Sequence, residues 1–281
     1  MLRIVAHETS NYLYNTACHK VINIFHLNCG TASPPGSRLF PGLYPNEMVC
    51  HCLLLDCNGR LVLIDTGLSV ADLSNPRRLG VMGSVLGLKG HPRQAAIRQI
   101  EQLGYAPGAV EHIILTHLDL DHASGLVDFP AAKVHVLRKE YEAATQPNTL
   151  GERLRYRAYH WKHQPKWVLY DDPGLPDLVG REFIPLEGLP ISIDLVPLHG
   201  HTRGHCGVLF QGHEASILHC GDAYYARKEL AHRSSILYTL FQKAANVDAK
   251  ATKASRKVLA QMISDNPAMR CISSHDPTEF V

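Results

Sequence analysis

Between His117 and His122 the chain places two imidazoles and two carboxylates in six consecutive positions, within Thr116-His117-Leu118-Asp119-Leu120-Asp121-His122-Ala123-Ser124-Gly125. Few folds can accommodate such a run. Crowded together, two Asp and two His repel or stay unpaired unless a hydrogen-bonded turn or a cation satisfies them, and the density favours the cation. The preceding His112-Ile113-Ile114-Leu115 is short, apolar and β-branched, which reads as a buried strand ending near Thr116. The four polar residues then fall on the turn beyond a strand's carboxyl end, where open α/β sheets bind ligands, and Ala-Ser-Gly lets the backbone pass close to them. A mixed imidazole and carboxylate set points to a catalytic metal site.

Composition narrows the classes. The 281 residues, 45% hydrophobic and 19% charged, suit one α/β domain spanning 1–281. A net charge of +2 is too balanced to make nucleic acid the main partner. No apolar run approaches the roughly 18 residues of a membrane span, and His7, Glu8, Asn11 and Asn15 interrupt any signal-peptide core, so a cytoplasmic location without membrane partner is expected. The cysteines at 18, 29, 50, 52, 57, 206, 220 and 271 form no C-x-x-C pair and read as free buried thiols.

Along the chain, 21–27 reads as a first strand followed by a Pro/Gly-rich loop at 33–46. Residues 49–55 and 61–64 make a hairpin around Asp56-Cys57-Asn58-Gly59, and its second strand delivers Asp65-Thr66-Gly67. Residues 68–92, with four glycines among apolar side chains, read as an insertion loop, either an apolar cover for a substrate or ordinary surface. A helix over 94–103, a strand over 133–137 and a helix over 138–146 follow. A second insertion covers 147–190. Within it Arg153, Arg155, Arg157, Lys162 and Lys166 interleave with Tyr156, Tyr159, Trp161 and Trp167, either a binding patch for an anion or solvated surface with local packing. A strand over 191–196, a hairpin of 206–210 with 215–219, a helix over 249–265 and a strand over 270–273 complete the pass.

Asp65, the 117–122 cluster, His201, Asp222 and His275 each follow an apolar run. Taken together, Asp-Thr-Gly, His-x-Asp-x-Asp-His, Gly-His-Thr, Gly-Asp and a terminal His resemble the five-motif pattern of the metallo-β-lactamase superfamily, across residues 65 to 275. The resemblance implies a four-layer αβ/βα sandwich. It also implies two divalent metal ions, zinc first, with iron or manganese as alternatives. One ion would take His117, Asp119 and His201, and the other Asp121, His122 and His275. Asp222 would bridge them, and Asp65 would orient a ligand. Such a pair can share a hydroxide that serves as nucleophile at neutral pH. His199 and His205 would support or pack.

Within the superfamily the pattern is most similar to the N-acyl homoserine lactonases, through Gly221-Asp222-Ala223-Tyr224-Tyr225 and Ser274-His275-Asp276-Pro277. Tyr225 would hydrogen-bond the substrate carbonyl and leaving oxygen, or else pack, and it joins Asp121 as a candidate catalytic residue. The expected partner is a small-molecule ester or lactone, with a glyoxalase II-like thioesterase or a diiron redox protein as alternatives. Asp119 departs from the lactonase pattern, which has His there. Its extra negative charge should favour harder ions and raise the pKa of a bound water.

Overall fold

The turn that joins the first two paired strands of the hairpin shows how local chemistry sets the register. The computed structural model describes residues 22–34, 47–172, 183–230 and 236–280. In it β2 (Met48–Cys57) and β3 (Arg60–Ile64) are joined by Asn58 and Gly59, whose φ angles of 60° and 86° suit a two-residue hairpin. Their pairing runs without interruption from Cys57 opposite Arg60 to Leu53 opposite Ile64. β1 (Asn23–Ala32) flanks β2 antiparallel and carries the two-residue β4 (Leu88–Lys89) on its outer edge. On the other side β5 (Val110–Ile114), β6 (Lys133–Leu137) and β7 (Lys166–Tyr170) continue from β3 in parallel, making seven strands.

A second sheet has the order β12 (Arg270–Ile272), β11 (Ser216–His219), β10 (Cys206–Gln211), β9 (Ile193–Pro197), β8 (Ile184–Pro185). The two sheets face each other through Leu53, Leu55, Val62, Ile64 and Ile114 on one side and Ile193, Leu195, Val208, Phe210 and Ile217 on the other. Alternation sends their neighbours outward. Leu54, Leu61 and Ile113 pack on Ile100 of α3 (Ala96–Gln102), while Leu209 and Leu218 pack on Val258, Leu259 and Met262 of α8 (Ala249–Asp265). Helix, sheet, sheet and helix therefore form one four-layer α/β sandwich.

Strand direction gathers the functional loops. β3 and β5 are parallel, as are β11 and β12, and β9 shares the direction of β11 because both pair antiparallel with β10. Their carboxyl ends meet at one edge, where the Cys206 N–H donates to Thr116 O at 3.0 Å and the His51 N–H to Ser274 O at 2.9 Å, tying the sheets together.

Residues 68–92 differ from the expected loop. They form α1 (Val70–Ser74) and α2 (Gly80–Leu86) with a 3-10 turn between, and Leu68, Leu73, Leu79 and Leu88 are buried. The glycines mislead because Gly80 opens α2 at a φ of 65° and Gly87 closes it in a left-handed conformation. α5 (Arg138–Thr145) lies just before the second insertion, which contains α6 (Leu150–Arg155) and β7, and 173–182 lie outside the described residues. So do Cys18 and 35–46. The other seven cysteines are buried thiols outside any disulfide. The short α4 (Leu120–Ala123) begins inside the histidine-aspartate run, and α7 (Ile236–Ala245), which the periodicity did not single out, precedes α8. No described helix is long and apolar enough to cross a membrane.

Buried histidine pairs in the first sheet make stability depend on pH. His135 bonds His112 and the Tyr170 hydroxyl, both at 2.9 Å, and burial with the nearby His112 and Lys133 charges pushes it down to about 4. An unfolded histidine takes up its proton near pH 6.5, so the unfolded state binds more protons between 6.5 and 4, and stability falls as pH falls through that window. The shift is worth up to about 3 kcal/mol. His135→Gln should therefore be destabilising at pH 7, with its gap from the wild type narrowing by a similar amount at pH 4. Urea midpoints at both pH values read this directly, and a constant gap would show that His135 is protonated without cost.

Candidate metal centre

Four histidines at the shared edge are turned the same way. The Nδ1 of His122 lies 2.9 Å from Asp65 Oδ2, that of His275 2.7 Å from Val49 O, and that of His117 3.0 Å from the Thr116 hydroxyl. Thr116 in turn donates its hydroxyl and its N–H to the two oxygens of Asp65, each at 2.8 Å. His201 Nδ1 faces Asn246 Oδ1 at 3.2 Å and the Tyr225 hydroxyl at 3.0 Å. With Nδ1 carrying the proton outward, each Nε2 presents its lone pair inward. Asp65 manages this from a left-handed backbone (φ 55°), a conformation that Asp tolerates better than most residues.

Carboxylates converge on these nitrogens. Asp222 Oδ2 lies 3.1 Å from His275 Nε2 and 3.4 Å from His201 Nε2, and its Oδ1 lies 3.3 Å from His122 Nε2. Asp121 Oδ2 lies 3.5 Å from His275 Nε2, and Asp119 Oδ2 lies 3.0 Å from His201 Nε2 and 3.5 Å from His117 Nε2. The donor atoms of His117, His201 and Asp222 fall within 4.8 Å of one another, and so do those of Asp121, His122 and His275. His117 Nε2, His122 Nε2 and Asp222 Oδ1 are buried without a well-aligned hydrogen-bond partner. Buried polar atoms are rarely left so, and a cation among imidazole and carboxylate donors satisfies them. Burial alone would raise the Asp222 carboxyl, yet the His275, His122 and His201 rings hold it well below the usual carboxylate range. The expected ligand positions are thus all brought together.

Part of the basic and aromatic stretch faces inward, through Arg155, Tyr156, Arg157 and Tyr159, while Arg153, Lys162 and Lys166 stay exposed. Arg155, at the end of α6, sets its Nε 3.0 Å from Asp119 Oδ1, donates Nη1 to His201 O at 2.7 Å and bonds Ala245 O through Nη2. Tyr156 donates to Glu140, Arg157 to Leu79 O, and Tyr159 to Asp72. The Asp119 charge is therefore answered inside the protein. This weakens the expectation that Asp119 alone makes the centre harder.

Neighbouring groups fix the loops. His205 donates Nδ1–H to Leu198 O and accepts the Asp222 N–H at Nε2, both at 2.8 Å, and burial with the nearby His117 and His201 keeps it well below its ordinary pKa, hence neutral. Gly221 has φ 53°, and a Cβ there would meet His205 Nε2 at 2.5 Å. His199 lies 2.5 Å from Asp172, away from the cluster. Tyr225 is buried, with its ring stacked on His275 at 5.5 Å, and burial beside Asp222 raises its hydroxyl well above the usual phenol range, so it stays a donor. Its backbone N–H donates to Glu229 at 2.7 Å. Sequence reasoning missed Arg155, Glu229 and Asn246. The signal available for Arg155 was the Thr149-x-x-Glu152 capping box that starts α6.

A family model described as the metallo-beta-lactamase superfamily matches residues 45–275. The Probable metallo-hydrolase of Mycobacterium tuberculosis is 40% identical over 219 residues, 78% of this chain and 68% of that protein. An N-acyl homoserine lactonase of Bacillus thuringiensis is 33% identical over 200 residues, 70% of this chain and 72% of that protein. Among solved structures, an N-acyl homoserine lactone hydrolase with N-hexanoyl-L-homoserine at its catalytic metal centre has a TM-score of 0.69 at 21% identity, covering 91% of this chain and 93% of that one. AidC, a dizinc quorum-quenching lactonase, has a TM-score of 0.61 at 17% identity, covering 92% of this chain and 89% of that one.

Glu140 links the two loops that carry His117 and His201, accepting the N–H groups of Leu118 at 2.9 Å and Gly204 at 3.1 Å and the Tyr156 hydroxyl at 3.0 Å. Glu140→Ala strands three buried donors, each costing about 1–3 kcal/mol, so the loss should reach about 3 kcal/mol or more. Urea unfolding of chelator-treated protein measures it. A loss under about 1 kcal/mol would mean that water replaces the carboxylate.

Proposed function

The chain belongs to the metallo-β-lactamase superfamily, and from that premise we propose that it is a metal-dependent hydrolase that holds two divalent ions and opens a lactone or a related carboxylic ester. The observation that carries the reading is a pair of inward-facing donor sets, His117 and His201 with Asp222 in one and Asp121, His122 and His275 in the other. His117, His201 and Asp119 would hold one ion, and His122, His275 and Asp121 the other. Asp222 offers an oxygen to each, since Oδ1 faces His122 while Oδ2 faces His201 and His275. Zinc suits the imidazole nitrogens, and iron or manganese the carboxylates. When bound, such ions supply Lewis acidity and make water a nucleophile near neutral pH.

The chain's own residues supply the rest. Asp65, Val49 O and Thr116 keep the His122, His275 and His117 rings in the tautomer that leaves Nε2 free. Asp121, with its carboxylate turned into the cluster, can accept a proton from the attacking water and return it to the leaving alkoxide. Tyr225 keeps its proton and is placed to donate a hydrogen bond to the substrate carbonyl or the leaving oxygen, because His201 Nδ1–H can donate to the phenol oxygen. The similarity to N-acyl homoserine lactonases favours a lactone. The thioesterase alternative drew on a basic patch of which Arg155 and Arg157 are engaged internally and Arg153, Lys162 and Lys166 stay exposed, so it keeps only part of its support. A diiron redox reading rests on Asp119 alone, and metal analysis with an electronic spectrum separates it.

A panel of acyl-homoserine lactones, simple lactones, aryl esters and glutathione thioesters tests the reaction. Chelator-sensitive turnover of a lactone or ester is expected, and turnover confined to thioesters would overturn the assignment. Asp222→Ala should lower the metal content and remove most activity. Retention of both under the same assay would refute a shared carboxylate.

Tyr225→Phe should slow the chemical step with metal content unchanged, by the value of a hydrogen bond near a developing charge, about 1–3 kcal/mol. Unaltered kinetics on the best substrate would reduce Tyr225 to packing.

A further inference from the structure

Resting on the metal-dependent reading, we propose that Arg155 is a positioning residue of the centre: it claims one oxygen of Asp119 and cancels the charge that carboxylate brings, so that Asp119 and Arg155 together replace one neutral imidazole.

A carboxylate has two oxygens, and here they are divided. Oδ1 faces Arg155 Nε at 3.0 Å, and Oδ2 faces His201 Nε2 at 3.0 Å and His117 Nε2 at 3.5 Å. The guanidinium therefore fixes which oxygen is offered to a metal. Nη1 and Nη2 bond the carbonyls of His201 and Ala245, while Nε pairs with Asp119 Oδ1 by charge, without an aligned hydrogen bond. A planar fork anchored on two carbonyls holds its charge against that oxygen, which a lysine ammonium on a flexible stem does not reproduce. The arginine is itself held in place. Glu152, one turn earlier on α6, bonds Arg203 Nε at 2.6 Å, so one helix face reaches the His201 to His205 loop at two points.

Charge explains why the pair belongs together. Arg155 retains 15% side-chain exposure and Asp119 10%, so neither is well solvated and an uncompensated charge there is costly. Two imidazoles and a carboxylate carry one negative charge, and adding the guanidinium returns the sum to zero, as for three imidazoles. Among the described residues, no other lysine or arginine is ion-paired with Asp65, Asp119, Asp121 or Asp222.

Zinc titration of the apo-protein against a chromophoric chelator, with circular dichroism as the folding check, tests this in a double-mutant cycle. Arg155→Met should weaken one site by about tenfold to a hundredfold, the range seen when groups supporting a metal ligand are removed. Asp119→His with Arg155 retained should also weaken it, because an uncompensated guanidinium then faces an imidazole. The double variant should recover most of the loss. If Arg155 merely braces the loops, its removal costs the same with either residue at 119, and that additivity would overturn the proposal. Should Arg155→Met fail to fold, the single variant at 119 still decides: zinc held as tightly as in the wild type, or more tightly, would refute charge compensation. A wild-type chain that takes up no zinc, iron or manganese would sink the metal-dependent reading itself, whereas two occupied wild-type sites with an indifferent Arg155→Met would sink only this assignment.

Discussion

Four aspartates, Asp65, Asp119, Asp121 and Asp222, are buried at one edge of the sandwich, and much of the surrounding structure answers their charge. Burial disfavours a carboxylate anion unless it is paired or hydrogen-bonded. Asp65 is paired with His122 and bonded by Thr116, and Asp119 is paired with Arg155, while Asp222 lies among the Nε2 atoms of His122, His201 and His275 and accepts at its oxygens no N–H from them in the tautomer that leaves Nε2 free. Even so, although burial acts to lower it, the charges of Asp222, Asp121 and Asp65 hold His122 well above its ordinary pKa. An edge that attracts protons this strongly when no other cation is at hand is one in which a divalent ion replaces them with advantage.

The same constraint explains why the site sits between two sheets. A single turn cannot supply enough donors without stacking like charges side by side. Five strand ends, from β3, β5, β9, β11 and β12, each contribute one or a few, and the sheets' facing cores hold those ends in register. Backbone bonds across the edge, Cys206 to Thr116 and His51 to Ser274, make this a property of the fold rather than of loop conformation.

What was legible in the chain was whatever local chemistry dictates. The Asn58-Gly59 turn, the apolar runs of β5 and β6, and the residues directly after strands all carry their own signature. Residues 68–92 were misread because glycine marks helix ends as readily as loops. Arg155 was invisible for another reason. Its partners are 36 and 46 positions away, at Asp119 and His201, and only the packing of α6 against two loops turns an apparently exposed basic stretch into part of the centre.

Tyr225 and Asn246 bring these threads to one ring. His201 has a single Nδ1 proton if its Nε2 is to remain a donor, and two oxygens compete for it, from Asn246 at 3.2 Å and from Tyr225 at 3.0 Å. Neither choice silences the phenol, whose own hydrogen stays available because burial keeps it protonated. The Arg155 bond to His201 O and the Glu229 bond to the Tyr225 N–H anchor the two backbones that carry ring and phenol. The group proposed to steady the substrate oxygen is thus coupled, through one imidazole, to the residues that set the charge of the metal site. Substitution at 119 or 155 therefore reaches the phenol by two routes, through His201 and directly through the charges that Arg155 and Asp119 place near its hydroxyl.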